Sequence, residues 1–114
     1  MTDPVIKDGI SKYVLYLIKG TDRDGPFEVY RRFSDFNTLR KAMIKRWPGV
    51  YIPPIPEKKA VGNMDSKFIE ERRKLLEQFC LKVAELPHLF YSDEFKIFLR
   101  SINQDLEKVF FFFL

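Results

Sequence analysis

Between Asp65 and Leu86 the apolar residues recur with the period of an α-helix, and an arginine interrupts them. At about 100° per residue, Phe68, Ile69, Leu75, Leu76, Phe79 and Val83 share one stripe, and Arg72 falls in its middle. Such a stripe must be buried against other elements, so whatever fold the chain adopts needs a core that accommodates a guanidinium. An ionised group facing a core is costly unless something anionic or strongly accepting meets it. Either a native acid such as Glu28 or Glu71 lies beside Arg72, or the site admits an external anion. Glu71 is a poor partner, because adjacent helical residues diverge by about 100°.

Length and charge limit how that core is built. A chain of 114 residues, 46% hydrophobic and 16% aromatic, suits one domain with a single modest core. Twenty Lys and Arg against sixteen Asp and Glu leave a net charge of +4. That excess suits an anionic partner, whether nucleic acid, an acidic membrane surface or an acidic protein. The single cysteine, Cys80, cannot form an internal disulfide and reads as a packing residue in a reducing compartment. No window approaches the roughly 20 apolar residues of a membrane span, and no secretory signal pattern is present, so a soluble protein is expected.

The β-branched and aromatic run Tyr13 to Ile18, ending at Gly20, predicts a strand. Turn residues Thr21 to Pro26 follow, then the alternating segment Phe27 to Phe33, so the two strands form an antiparallel hairpin with a loop of moderate length. A short earlier strand falls near Val5 to Lys7. Ser34 is the expected N-cap of a helix to about Arg46, with Phe36, Leu39, Met43 and Trp47 on one side and Pro48-Gly49 as its stop. Pro53-Pro54-Ile55-Pro56 forces an extended polyproline segment, and Glu57 to Met64 reads as an exposed loop. Pro87 ends the Arg72 helix, and a final short helix covers Asp93 to Ile102. The fold class is therefore α+β, with one domain over residues 1–103. Residues 104–114 form an apolar C-terminal tail, ending in Phe110 to Leu114, whose role the sequence leaves open.

In the Phe27 to Phe33 strand, period two sends Phe27, Val29, Arg31 and Phe33 to one side and Glu28, Tyr30 and Arg32 to the other. Arg31 and Arg32 thus face opposite ways. Arg32 stands at the start of the next helix, where the dipole favours an anion.

The string Tyr30-Arg31-Arg32-Phe33-Ser34-Asp35-Phe36 precedes Trp47-Pro48-Gly49, then Ile52-Pro53-Pro54-Ile55-Pro56-Glu57-Lys58, then Phe68-Ile69-Glu70-Glu71-Arg72-Arg73. In order and spacing the four resemble the phox-homology (PX) domain, most closely that of sorting nexins, over roughly residues 4–102. The resemblance implies a three-stranded antiparallel sheet packed against a helical subdomain with a proline-rich loop. It also implies a basic pocket for phosphatidylinositol 3-phosphate, serving endosomal sorting from a cytoplasmic position on early endosome membranes. By the same resemblance, Arg32 grips the 3-phosphate and Phe33 supports the inositol ring, where most relatives carry tyrosine. Lys58 holds the phosphate linking inositol to glycerol, and Arg72 bonds the 4- and 5-hydroxyls. Arg31 and Lys59 stand as alternates. Ala60, Val61 and Met64 lie in the loop that relatives dip into the bilayer.

Other chemistries find little support. His88, alone between Pro87 and Leu89, has no nucleophile suggested by a motif, so no catalytic residue is assigned and no enzyme is expected. No Cys/His spacing suits a metal, and no phosphate loop implies a nucleotide cofactor. The aromatics sit at core periodicity and match no nucleic-acid motif. The alternative function is a PX-type adaptor that recruits a coat, a cargo tail or a proline-recognition partner of the trafficking machinery. Oligomeric state is not legible.

Overall fold

The computed structural model describes residues 4–7, 13–57, 66–101, 106 and 110. Two long strands, β2 (Tyr13–Asp22) and β3 (Gly25–Arg31), form an antiparallel hairpin, and the short β1 (Pro4–Lys7) runs antiparallel along β2. Helices α1 (Phe33–Arg46), α2 (Ser66–Glu85), α3 (Pro87–Phe90) and α4 (Asp93–Arg100) follow. This is an α+β arrangement of antiparallel strands and helices, as expected.

The hairpin is tighter than the sequence suggests. Asp22 pairs with Gly25 across the strands, so only Arg23 and Asp24 turn the chain. Gly25 takes φ 111°, a region that side-chain-bearing residues rarely enter. The Asp22 carboxylate accepts from the Asp24 N–H at 2.9 Å and from the Arg100 guanidinium of α4. Arg100 also donates to the Gly25 carbonyl at 2.8 Å, so the turn is tied to the last helix from both sides. These bonds, the Arg100 contact foremost, hold the Asp22 carboxyl below its usual range. A group whose pKa is depressed on folding adds stability above its unfolded pKa of about 3.9, and that stability is lost as pH falls through the lower folded value. Chemical denaturation of Asp22→Asn from pH 6 to pH 3 is accordingly expected to show a shallower acid loss than the native chain; parallel curves would argue that the turn carries no such linkage.

Beneath the sheet lies the core. Tyr16 and Ile18 of β2 and Val29 of β3 point inward, meeting Phe36, Leu39 and Met43 of α1. Phe36 sits at the centre, its ring edge-on to Tyr16, Phe79 and Phe98, with centroids 5.0 Å away at Phe98. The inward stripe of α2 is Ile69, Arg72, Leu76, Phe79 and Val83. Phe68 lies at its edge, half-buried. Leu75, which the sequence assigns to the stripe, is 49% exposed. Of two consecutive leucines only one can face inward, and the spacing of Ile69, Leu76 and Val83 selects Leu76.

Several boundaries differ from expectation: β3 spans Gly25–Arg31 instead of Phe27 to Phe33, so Phe33 belongs to α1, and α4 ends at Arg100 instead of Ile102. The N-cap of α1 is Arg32, not Ser34, because Asp35 in the first turn reaches back and its Oδ2 accepts from the Arg32 N–H at 2.8 Å. Pro87 does more than end α2: it opens α3 at the position where proline's missing N–H has no helical partner to lose. Cys80 packs against the core as expected, and burial pushes its thiol up to about 12, far from reactive. Of the apolar tail, Leu106 and Phe110 are helical and buried in the same core cluster. No helix among the described residues is long and apolar enough to cross a membrane.

Candidate functional site

The site begins where β3 hands the chain to α1. Arg32 has extended backbone, φ −83° and ψ 164°, and its side chain is exposed at the helix start. One residue later Phe33 enters the helix, half-buried, with its ring turned to α2.

Arg72 meets it there. The guanidinium carbon lies 4.0 Å from the Phe33 ring centroid and 4.5 Å from that of Phe68, one turn earlier on α2. A planar cation between two aromatic faces is held by quadrupole attraction and by packing. One terminal nitrogen donates to the Glu57 carbonyl at 3.1 Å, which brings the end of the proline segment to the same spot. Arg72 is only 7% exposed, and its buried Nε has no hydrogen-bond partner among the described residues. Neither Glu28 nor Glu71 pairs with it, so the native-acid alternative is not what fills this position among the described residues. Burial holds the Arg72 guanidinium below its usual pKa, opposed by the nearby Tyr16 hydroxyl group. The charge survives nonetheless, since arginine is not deprotonated in proteins.

Arg31 is not brought to this place. It is 2% exposed and points into the core side of β3, where Nε donates to the Phe98 carbonyl at 2.8 Å and a terminal nitrogen to the Ser101 carbonyl at 2.5 Å. With those bonds to the end of α4 and Asp35 nearby, its guanidinium is occupied within the fold. The reading of Arg31 as an alternate ligand gives way to a structural role. Lys58, Lys59, Ala60, Val61 and Met64 lie outside the described residues.

Two contributors escape the sequence reading. Phe68 belongs to the core stripe by its period, yet it forms the second wall of the Arg72 sandwich; its spacing of four residues from Arg72 on one helix face is the signal that identifies it. Arg40, a turn beyond Phe36 on α1, donates from Nε to the Pro53 carbonyl at 2.9 Å. Pro53 is fully buried while Pro54 is exposed, so the proline segment is seated in the fold at its near end. A separate cavity of about 110 Å³ lies by the hairpin turn, where Lys96 Nζ is 3.1 Å from Asp24 and Asp22 is paired with Arg100.

An exposed arginine at a helix start, an aromatic ring beside it and a buried cation across that ring thus lie together on an α+β scaffold. The chain belongs to the PX domain family, whose model matches residues 19–101. It is similar to sorting nexin 1 of Arabidopsis thaliana, with 35% identity over 95% of this chain and 29% of that protein. It is also similar to the vacuolar protein sorting-associated protein vps5 of Schizosaccharomyces pombe, with 44% identity over 68% of this chain and 13% of that protein. Among solved structures, a designed CISK-PX domain matches with a TM-score of 0.78 and 31% identity, covering 87% of this chain and 94% of that one. The chain spans less than a third of the length of the sorting nexins it matches.

Proposed function

We propose that this domain directs the protein that carries it to membranes by binding phosphatidylinositol 3-phosphate. Arg32 takes the 3-phosphate, Phe33 underlies the inositol ring and Arg72 forks onto the 4- and 5-hydroxyls. Lys58, with Lys59 as alternate, takes the phosphate that joins inositol to glycerol. The observation that carries this reading is Arg72: a buried guanidinium, stacked between two rings, with an Nε that no described group satisfies. The desolvation is already spent in folding, so the rigid fork is ready for paired oxygens. Hydroxyl recognition by Arg72 leaves little room for phosphates at positions 4 and 5, which sets the lipid preference.

Headgroup capture is helped by the bilayer itself. Insertion of one side chain among Ala60, Val61 and Met64 adds up to about 1.5 to 3 kcal/mol for Val or Met. Lysines near an anionic leaflet, such as Lys59 and Lys67, add about 1 kcal/mol each. Neither contribution anchors alone, so association is reversible, peripheral and endosomal, in the service of membrane sorting. The domain acts as a binding module and performs no catalysis.

A vesicle sedimentation panel with mono-, bis- and trisphosphorylated phosphoinositides tests the reading. Preferential pelleting with the 3-phosphorylated lipid is expected, and equal pelleting with every anionic lipid overturns it. Arg72→Met sharpens the test, because methionine still fills the slot between Phe33 and Phe68 while the desolvated charge is gone. Binding is expected to fall about tenfold, equal to about 1.4 kcal/mol, with the melting temperature unchanged or raised. A sharply lowered melting temperature would make Arg72 a structural tie.

A further inference from the structure

We propose that Arg40 is a positioning residue for Arg72, acting through the proline segment that lies between them. The proposal rests on the phosphoinositide reading and extends the site to α1. Arg40 projects from α1 and grips the Pro53 carbonyl at 2.9 Å; Arg72 projects from α2 and grips the Glu57 carbonyl at 3.1 Å. Pro53, Pro54, Ile55 and Pro56 connect the two gripped carbonyls, and a chain so rich in proline is stiff because each ring fixes its own φ and restricts the residue before it. A stiff rod held at one end passes that placement to the other. Ile52 and Pro53 are buried and seat the near end, and Ile55 packs against the core, whereas Pro54 and Glu57 are exposed and take their position from the rod. Releasing the Pro53 carbonyl frees the Glu57 carbonyl to drift, and the Arg72 fork loses the acceptor that sets its plane between Phe33 and Phe68.

The contact is made by Nε, not by a terminal nitrogen. This detail makes the role separable from that of a cation, because glutamine carries its amide nitrogen at the same number of bonds from Cα as arginine carries Nε. Arg40→Gln keeps the donor and removes the charge. Arg40→Met removes both.

Affinity for soluble dibutanoyl phosphatidylinositol 3-phosphate is to be measured by calorimetry for the native chain and both variants, with thermal melts and amide NMR spectra of the ligand-free proteins. Arg40→Met is expected to lose about fivefold in affinity, the worth of one hydrogen bond, at a melting temperature close to native. Its Ile55 and Glu57 amide signals shift or broaden. Arg40→Gln is expected to stay within about twofold of the native affinity, with those signals near their native positions. An equal loss in both variants means that the charge contacts the lipid directly and overturns the positioning role. So does native affinity in Arg40→Met. Failure of the native chain to bind the soluble lipid would overturn the phosphoinositide reading and this proposal with it, a result distinct from either variant outcome.

Discussion

Arg32→Ala is expected to abolish pelleting with vesicles containing phosphatidylinositol 3-phosphate, a loss of about a hundredfold or more, while the protein keeps its native melting temperature within about 2 °C. The large loss follows from chemistry: Arg32 is the residue assigned to the phosphate that distinguishes this lipid, and a charge-assisted pair to a phosphate is among the strongest contacts available to a side chain. The small stability effect follows from structure. Arg32 caps α1 through its main chain, with its N–H donating to Asp35 Oδ2 at 2.8 Å and its carbonyl accepting from the Asp35 N–H at 2.9 Å. Alanine retains both bonds. An exposed arginine side chain also leaves no cavity when it is truncated. Sedimentation against lipid fraction, with a circular dichroism melt of the same sample, checks both halves. Retained binding at equal lipid fraction would remove Arg32 from the site and leave Arg72 without a phosphate-bearing partner.

Some of this architecture was legible in the residues, for reasons that can be stated. Helix α2 is long, and its period is sustained from Ile69 to Val83, so its bounds of Ser66–Glu85 fall within a residue of the expected Asp65 to Leu86. Helix α1 likewise ends at Arg46, where Trp47, Pro48 and Gly49 stop it. Local competition was harder to read. Ser34 is the better cap by residue type, but a carboxylate at Asp35 that reaches back to Arg32 outcompetes it and shifts the helix start. The hairpin loop reads as longer because Thr21 and Pro26 are turn-compatible residues, whereas in the fold they pair with each other, and Arg100, far along the chain, bonds Asp22, Gly25 and Pro26 beside them.

The site divides along the same line. Period two separates Arg31 from Arg32 from sequence alone, and the burial of β3 follows that alternation through Val29 and Arg31. That Arg72 faces inward was legible from its place in the stripe, and its 7% exposure agrees. What it faces was not, since the Phe33 ring and the Glu57 carbonyl come from other parts of the chain. The same holds for Arg40, whose partner carbonyl lies beyond the helix end. Period and propensity report which way a side chain points; they carry no information on which distant carbonyl it meets. The apolar tail illustrates this too: the sequence leaves its role open, yet Phe110 and, four residues before it, Leu106 find places in the core.

Arg31→Ala is expected to do the opposite of its neighbour's substitution: to lower folding stability by about 3 kcal/mol, and to leave lipid affinity unchanged in the fraction that remains folded. Arg31 is the clasp between β3 and the end of α4, bonding residues that lie 67 and 70 positions away in sequence. Its removal takes the donor from the buried Phe98 carbonyl and breaks the contact with Ser101, and a buried acceptor left without a donor costs about 1 to 3 kcal/mol. The guanidinium also lies 5.7 Å from the Phe98 ring centroid, so packing is lost with the bonds. Against these stands the relief of a buried cation, which lowers the net cost. Arg31→Lys recovers only part of it, because one ammonium does not reproduce a fork whose separate nitrogens reach separate carbonyls. At about 4 to 8 °C per kcal/mol for a domain near this size, the alanine variant melts about 15 °C early. Urea denaturation and vesicle binding below that melt separate the two consecutive arginines; a variant that melts normally but no longer pellets would return Arg31 to the lipid site.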